Sequence, residues 1–170
     1  AFCGSFCTIK KSLEALEKLA QNDVNIIPIM SQIVYSTDTR FIKADELKEK
    51  YNTYVEIVEK PEDFTKELLQ SFERKYHPDR VLLEYNPLWS VAKLEQMEMP
   101  AGWGIVQHIV TVDSSTFQVY MNNMKSLFME MVRHAELVLF NRCKESDPLA
   151  TYRRSIKVVN QSSEIIFEDD

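Results

Sequence analysis

Short apolar runs and longer amphipathic stretches alternate along this chain. The apolar runs are rich in β-branched and aromatic residues, and they are separated mostly by segments of helical periodicity. Seven runs are predicted to form strands: "AFC", "VNIIPIM", "TYVEIV", "RVLLEY", "WGIVQHIVTVD", "ELVLFN" and "SEIIFED". This order predicts βαβ units and a sheet whose strands are mostly parallel.

The intervening stretches are predicted to be helices. The first is "TIKKSLEALEKLAQ", which repeats apolar side chains on one helical face, at Ile9, Leu13, Leu16 and Leu19. The others are "KADELKEKY", "PEDFTKELLQSFERKY", "LWSVAKLEQM", "SSTFQVYMNNMKSLFMEMVRHA" and "DPLATYRRSIKVVN". Pro61 and its acidic neighbours suit the first turn of a helix, and Ser114 or Asp113 suits an N-cap.

Together these elements predict a single α/β domain over residues 1–170, with helices on both faces of a doubly wound, Rossmann-like or P-loop-like sheet. In such three-layer folds, ligands bind beyond the carboxyl ends of the strands, where the strand order reverses. Candidate functional residues are therefore sought directly after each strand.

The composition of the chain limits the classes of partner that it is expected to bind. The net charge is −6 and the pI is about 5.2, which argues against nucleic acid or an anionic membrane as the partner. No apolar run reaches the roughly 20 residues that a membrane-spanning helix needs. Three scattered cysteines favour a reduced, cytoplasmic protein. Met121, Met124, Met129 and Met131 spread around one helix, where they fill a core or form a homo-oligomer contact.

The first strand-end motif is "GSFCT", between a strand and a helix. Gly4 permits a close backbone approach, while Ser5, Cys7 and Thr8 can donate hydrogen bonds or cap the helix. An ordinary capped turn explains the same residues. A nucleophilic Cys7 or a Cys3–Cys7 metal pair is disfavoured, because no base or second ligand pair is evident.

Four later strand ends carry polar groups. "SQIVYSTDTRF" contains Arg40, which suits a phosphate or carboxylate, or alternatively a surface pair with Asp38. Glu84 is placed where nucleotide hydrolases hold Mg²⁺, or caps the next helix. Asp113 is expected to cap a helix, Asn141 ends the sixth strand, and no two histidines have metal-ligand spacing.

Residues 1 to about 45 resemble the dipicolinate synthase flavoproteins, within the FMN-dependent flavoprotein superfamily. The matching segments are "GSFCT", "PIMS" and "STDTRF". This resemblance implies that the first loop and the loop after the second strand approach the phosphate and ribityl chain of FMN. The implied FMN-binding residues are Gly4, Ser5, Phe6, Cys7, Thr8, Ser31, Thr37 and Arg40.

Residues from about 46 to 170 resemble GTPases of the CobW/HypB/UreG type, through "PDRVLLEYNPLW", "VQHIVTVDSSTF", "AELVLFNRC" and "VNQSSEIIFED". The resemblance implies that Glu84 lies near Mg²⁺ and that Asn141 opens the guanine-recognition element N-K-x-D. The chain departs from that element, since Arg142 replaces its Lys and Lys144 replaces its Asp. Glu145 and Asp147 are the candidate substitutes for that Asp.

Neither resemblance is complete, because the GTPase-like part has no G-x-x-x-x-G-K-[ST] loop and the flavoprotein-like part has no A-P-L-T-G-N-type segment. A chimera of two families explains this mixture. Three functions remain open: a nucleotide-binding domain without efficient GTP hydrolysis, an FMN-binding module, and an α/β scaffold without retained activity.

Overall fold

Seven parallel strands form one sheet in the order β3-β2-β4-β1-β5-β6-β7. The computed structural model describes residues 2–4, 14–19, 21, 26–31, 46, 49–50 and 54–169. The strands are β1 (Phe2–Gly4), β2 (Ile26–Ser31), β3 (Glu56–Val58), β4 (Arg80–Glu84), β5 (Ile109–Asp113), β6 (Leu137–Asn141) and β7 (Glu164–Phe167). The predicted seven-stranded parallel sheet is thus confirmed.

Five helices are described over their full length: α1 (Lys66–Tyr76), α2 (Val91–Gln96), α3 (Phe117–Asn123), α4 (Lys125–Arg133) and α5 (Leu149–Val159). Residues 14–19, 46 and 49–50 are also helical. The chain runs one way across the sheet from β1 to β3 and the other way from β3 to β7. Because parallel crossovers are right-handed, the two sets of helices cover opposite faces, as in a doubly wound fold.

The core lies where α4 and α5 cover the central strands. Phe117 packs edge-on against Phe128 and Phe140, while the rings of Phe140 and Tyr152 stack. A second aromatic group, Phe64, Tyr85 and Trp89, is buried near the end of β4. These aromatic side chains therefore serve to pack the helices and loops against the sheet.

Two predicted helices differ from the observed ones. Pro61 and its acidic neighbours form a turn, and α1 begins later, because the Thr65 hydroxyl caps it by accepting from the backbone N of Leu68 at 3.2 Å. The long helix predicted after β5 is divided into a 3₁₀ turn (Ser114–Thr116), α3 and α4, with the break at Met124. No helix in the described part of the chain is long and apolar enough to cross a membrane.

Candidate functional site

The switch in strand order lies between β1 and β5. The chain leaves β1 toward β2 on one side, and leaves β5 toward β6 on the other. Ligands of doubly wound sheets bind at this switch, beyond the carboxyl ends of the strands. The strands that border it end at Gly4, Asp113, Asn141 and Glu84.

The register of the strands determines which of these residues lie at one level. Asp113 pairs with Asn141 across β5 and β6, so the two lie side by side. Phe2 pairs with both Glu84 and Ile109, which places Glu84 four residues below the level of Asp113. Four residues of strand correspond to about 13 Å. The sheet therefore brings Asp113 and Asn141 together, with Glu84 deeper along β4.

Asp113 is a buried carboxylate with partners on both oxygens. Its Oδ1 accepts from the backbone N and the hydroxyl of Ser115 at 3.0 and 2.6 Å. Its Oδ2 accepts from Nη1 of Arg142 at 2.8 Å, although the Arg142 side chain is 55% exposed. The carboxylate thus caps the 3₁₀ turn, as the sequence predicted, and also joins β5 to the end of β6.

Residues 142–148 form the loop that follows β6, and a second carboxylate fastens this loop to β5. Asp147 Oδ2 accepts from the buried Ser114 hydroxyl at 2.7 Å and from the backbone N of Lys144 at 2.9 Å. These bonds, that from Lys144 first, lower the pKa of Asp147 from its ordinary value. The ionised side chain therefore holds the loop closed against the strand end.

Asn141 has the one buried polar atom at this edge that lacks a hydrogen-bond partner among the described residues. The residue is 2% exposed, and its Oδ1 accepts from no group in the described part of the chain. A buried acceptor without a donor costs about 1–3 kcal/mol. The Oδ1 atom is therefore suited to accept an N–H from a bound ligand.

Three ionisable side chains around this edge are held in their neutral forms. Burial raises the pKa of the Cys143 thiol, which argues against a nucleophilic thiolate. Burial also raises the pKa values of Tyr120 and Tyr152, with the charges of Asp113 and Asp147 respectively adding to the effect. The geometry at this edge therefore favours binding through hydrogen bonds over covalent chemistry.

Among the described residues, the fit of a metal ion rests on Glu84. Its side chain is half-buried at the end of β4, and a carboxylate oxygen is a suitable ligand for Mg²⁺. No cluster of three or more His, Cys, Asp or Glu side chains that suits a metal occurs among residues 54–169 or the shorter described segments. A single carboxylate is compatible with Mg²⁺ when phosphates and water complete the coordination.

The predicted site residues fall into two groups. Gly4 ends β1 and Ser31 ends β2, at the expected edge of the sheet, as do Glu84 and Asn141. Ser5, Phe6, Cys7, Thr8, Thr37 and Arg40 lie outside the described residues. The proposed roles of the residues in both groups therefore stay predictions.

Sequence reasoning did not anticipate two contacts at this site. The pairs Asp113–Arg142 and Ser114–Asp147 join residues 29 and 33 positions apart. The available signal was that an acidic residue, Asp113, ends β5 and that a basic residue, Arg142, directly follows β6. That signal gave no pairing, because the adjacency of the two strands was not determined by the local pattern.

Comparison with known proteins identifies a solved structure of similar fold. No family model matches the chain, and no curated protein matches it. Among solved structures it is similar to HypB from Helicobacter pylori, determined in complex with nickel, with a TM-score of 0.58 and 12% identity. The alignment covers 99% of this chain and 77% of that one.

At this level of identity the likeness establishes the fold and no more. The chain has a mixed α/β fold resembling that of HypB, a GTPase of the CobW/HypB/UreG class. The comparisons do not support the flavoprotein resemblance of residues 1–45 or a chimeric origin. No nickel-binding cluster corresponding to the ion in the HypB structure is found among the described residues.

Proposed function

We propose that this chain is a nucleotide-binding α/β domain related to CobW-type GTPases. The observation that carries the proposal is the Oδ1 of Asn141, which lacks a partner among the described residues and is buried at the carboxyl edge of the sheet beside the switch point. Phosphates carry no N–H donor, whereas nucleobases carry several. We therefore assign the base of the nucleotide to Asn141.

The phosphates are assigned to the end of β1. Gly4 is the first residue of the "GSFCT" segment, which is predicted to lead into a helix, and free N–H groups at the start of a helix attract anions. Glu84, two residues deeper on the neighbouring strand, would hold Mg²⁺ directly or through water. The bound ion would neutralise charge on the phosphates.

Hydrolysis of GTP is expected to be inefficient. The Lys and Ser/Thr of a G-x-x-x-x-G-K-[ST] loop normally contact the phosphates and Mg²⁺, and the chain lacks this motif. The purified protein should therefore bind GTP–Mg²⁺ and hydrolyse it more slowly than the roughly 10⁻⁴ to 10⁻² s⁻¹ of unassisted GTPases that have the complete motif. Rapid phosphate release that follows protein concentration through purification would contradict this part of the proposal.

A thermal-unfolding comparison tests binding. GTP–Mg²⁺ at about 100 times its Kd should stabilise the chain by about 2.7 kcal/mol, whereas FMN and a no-ligand control should leave it unchanged. Loss of one hydrogen bond to the base in Asn141→Ala should weaken GTP binding by about tenfold. Asn123→Ala, on the exposed end of α3, is the control and should bind like the parent.

Each alternative function gives a different result in the same experiment. Stabilisation by FMN and not by GTP would favour the flavoprotein prediction for residues 1–45. Indifference to FMN, GTP and Mg²⁺ would favour a scaffold without retained activity. Equal GTP affinity in Asn141→Ala and the parent would contradict the assignment of the base to β6.

A further inference from the structure

The loop after β6 contains two carboxylates, and one oxygen of one of them is already hydrogen-bonded within the fold. Asp147 Oδ2 accepts two internal hydrogen bonds, from Ser114 Oγ and Lys144 N. Glu145 is exposed on the same loop. Among the described residues, the acceptor that is both buried and without a partner at this edge is the amide Oδ1 of Asn141.

This arrangement affects which nucleotide base the site can select. The Watson–Crick edge of guanine presents two adjacent donors, N1–H and the 2-amino group. A carboxylate with two free oxygens accepts both at once, with one donor on each oxygen. The Asn141 amide has one oxygen beside an NH₂ group, so it presents an acceptor to one of the two donors and a donor to the other.

The charged side chains near Asn141 also differ from those of a site that selects guanine. The next residue, Arg142, directs its guanidinium to Asp113, and the residue three positions on is Lys144, whose side chain is a donor only. Neither cation can accept an N–H from the base. Among the described residues at this edge, an amino group at position 2 of a purine therefore meets no second buried acceptor that lacks a partner.

We propose, on the basis of the function proposed above, that the site binds purine nucleotides through Asn141 without selecting for the 2-amino group. Asp147 is then a positioning residue that closes the 142–148 loop onto β5. Inosine and guanosine nucleotides, which share N1–H and differ in the 2-amino group, are ligands of comparable affinity.

The test measures Kd for GTP and ITP, each with Mg²⁺, on the full chain. We expect the two Kd values to agree within about threefold. GTP binding more than about tenfold tighter than ITP, a difference of about 1.4 kcal/mol, would overturn the inference while leaving nucleotide binding intact. Absence of binding by both would instead refute the proposed function and, with it, this inference.

The Asp147→Asn variant tests whether Asp147 positions the 142–148 loop or contacts the base directly. Asn retains an oxygen that can accept from Ser114 and Lys144, so the variant should fold. If Asp147 positions the loop, the substitution should change the Kd for GTP and for ITP by the same factor. Selective loss of GTP affinity, with ITP affinity unchanged, would show that the carboxylate reads the 2-amino group and would overturn the proposal.

Discussion

Arg142 adopts a backbone conformation that residues with a Cβ rarely use. Its φ is 55°, in the left-handed region, directly after the last residue of β6. This conformation accompanies the contact of the guanidinium with Asp113, which is only 2% exposed. A buried carboxylate requires such a partner, because desolvation of an unpaired charge is unfavourable.

Removal of the Arg142 side chain should therefore destabilise the fold. Arg142→Ala leaves Asp113 without its guanidinium partner, and we expect a loss of about 1–3 kcal/mol in the free energy of unfolding. The estimate is below that for a fully buried pair because the arginine is half-exposed. Urea titration measures the loss, and Arg154→Ala, exposed on α5, should change it by less than about 0.5 kcal/mol.

His108 is a buried imidazole at the opposite, amino-terminal edge of β5. It is 1% exposed, and its Nδ1 lies 3.1 Å from the carbonyl oxygen of His134. A carbonyl can only accept, so Nδ1 carries the proton of the neutral ring. Burial lowers the pKa of His108 to about 4, even though Glu95 Oε1 lies 3.9 Å from Nδ1.

The stability of the fold should consequently fall on mild acidification. Between about pH 6.5 and 4 the unfolded chain protonates this ring and the folded chain does not, so stability falls as pH falls through that window. The difference is about 3 kcal/mol. His108→Asn, which does not titrate, should lose correspondingly less stability as the pH falls through the same window.

Denaturant titrations at a series of pH values measure this effect. His77→Asn is the matched control, since His77 is an exposed residue at the end of α1 with a φ of 45° that Asn tolerates. The control should keep the acid sensitivity of the parent. An unchanged pH profile in His108→Asn would show that the pKa of His108 does not differ between the folded and unfolded states.

At the scale of elements, Asn160 joins α4 to the start of β7. Its Nδ2 donates to the backbone oxygens of Val132 and Ala135 at 3.0 and 2.8 Å. Its Oδ1 accepts from the backbone N atoms of Ser162 and Ser163 at 3.2 and 3.1 Å. One side chain thus satisfies carbonyls at the end of one helix and shapes the turn after another.

Replacement of Asn160 should weaken both connections. Asn160→Asp keeps an acceptor for the serines but loses the amide donor, and its charge faces carbonyl oxygens at the negative end of α4. We expect a loss of about 2 kcal/mol or more in the free energy of unfolding, measured in urea. Lys144→Gln, exposed on the loop after β6, is a control for a change of charge and should be nearly neutral. A neutral result for Asn160→Asp would contradict the role of the amide.

The helices and strands also show which features of the fold the sequence pattern predicts. All seven strands of the sheet are predictable, because each contains a short apolar run. The predicted start of the fifth strand at Trp103 is wrong, since β5 begins at Ile109. The start of α1 is not predictable from the sequence. Acidic residues after a proline are as typical of the first turn of a helix as of a turn that precedes a Thr N-cap. The break between α3 and α4 at Met124 is not predicted, because the helical spacing of apolar residues continues across it.

At the scale of the whole molecule, residues 1–45 and 46–170 interleave in one sheet. Strand β1 lies between β4 and β5, and β2 lies between β3 and β4. The second part alone would retain β5, β6 and β7 as neighbours. Strand β3 would lose its partner β2, and β4 would lose both of its partners, β1 and β2. Whatever the origin of the two sequence resemblances, the parts share one sheet.

A fragment of residues 46–170 should therefore fail to fold cooperatively. Loss of the central strand leaves unpaired backbone N–H and C=O groups on β4 and β5, which are costly when buried. The full chain should show a single sigmoidal urea transition by circular dichroism, and the fragment a broad one. A cooperative fragment transition, with a denaturant dependence in proportion to its length, would contradict this prediction.

The sequence by itself determined the α/β class, the strands and the strand-end positions of Gly4, Ser31, Glu84 and Asn141, because periodicity and polarity are local properties. Tertiary structure alone decided the strand order, and with it the pairing of Asp113 with Arg142 and of Ser114 with Asp147. It also decided that Asn141 Oδ1 has no partner among the described residues and that Glu84 lies deeper than Asp113. The physical reason is that these facts depend on which distant segments become neighbours.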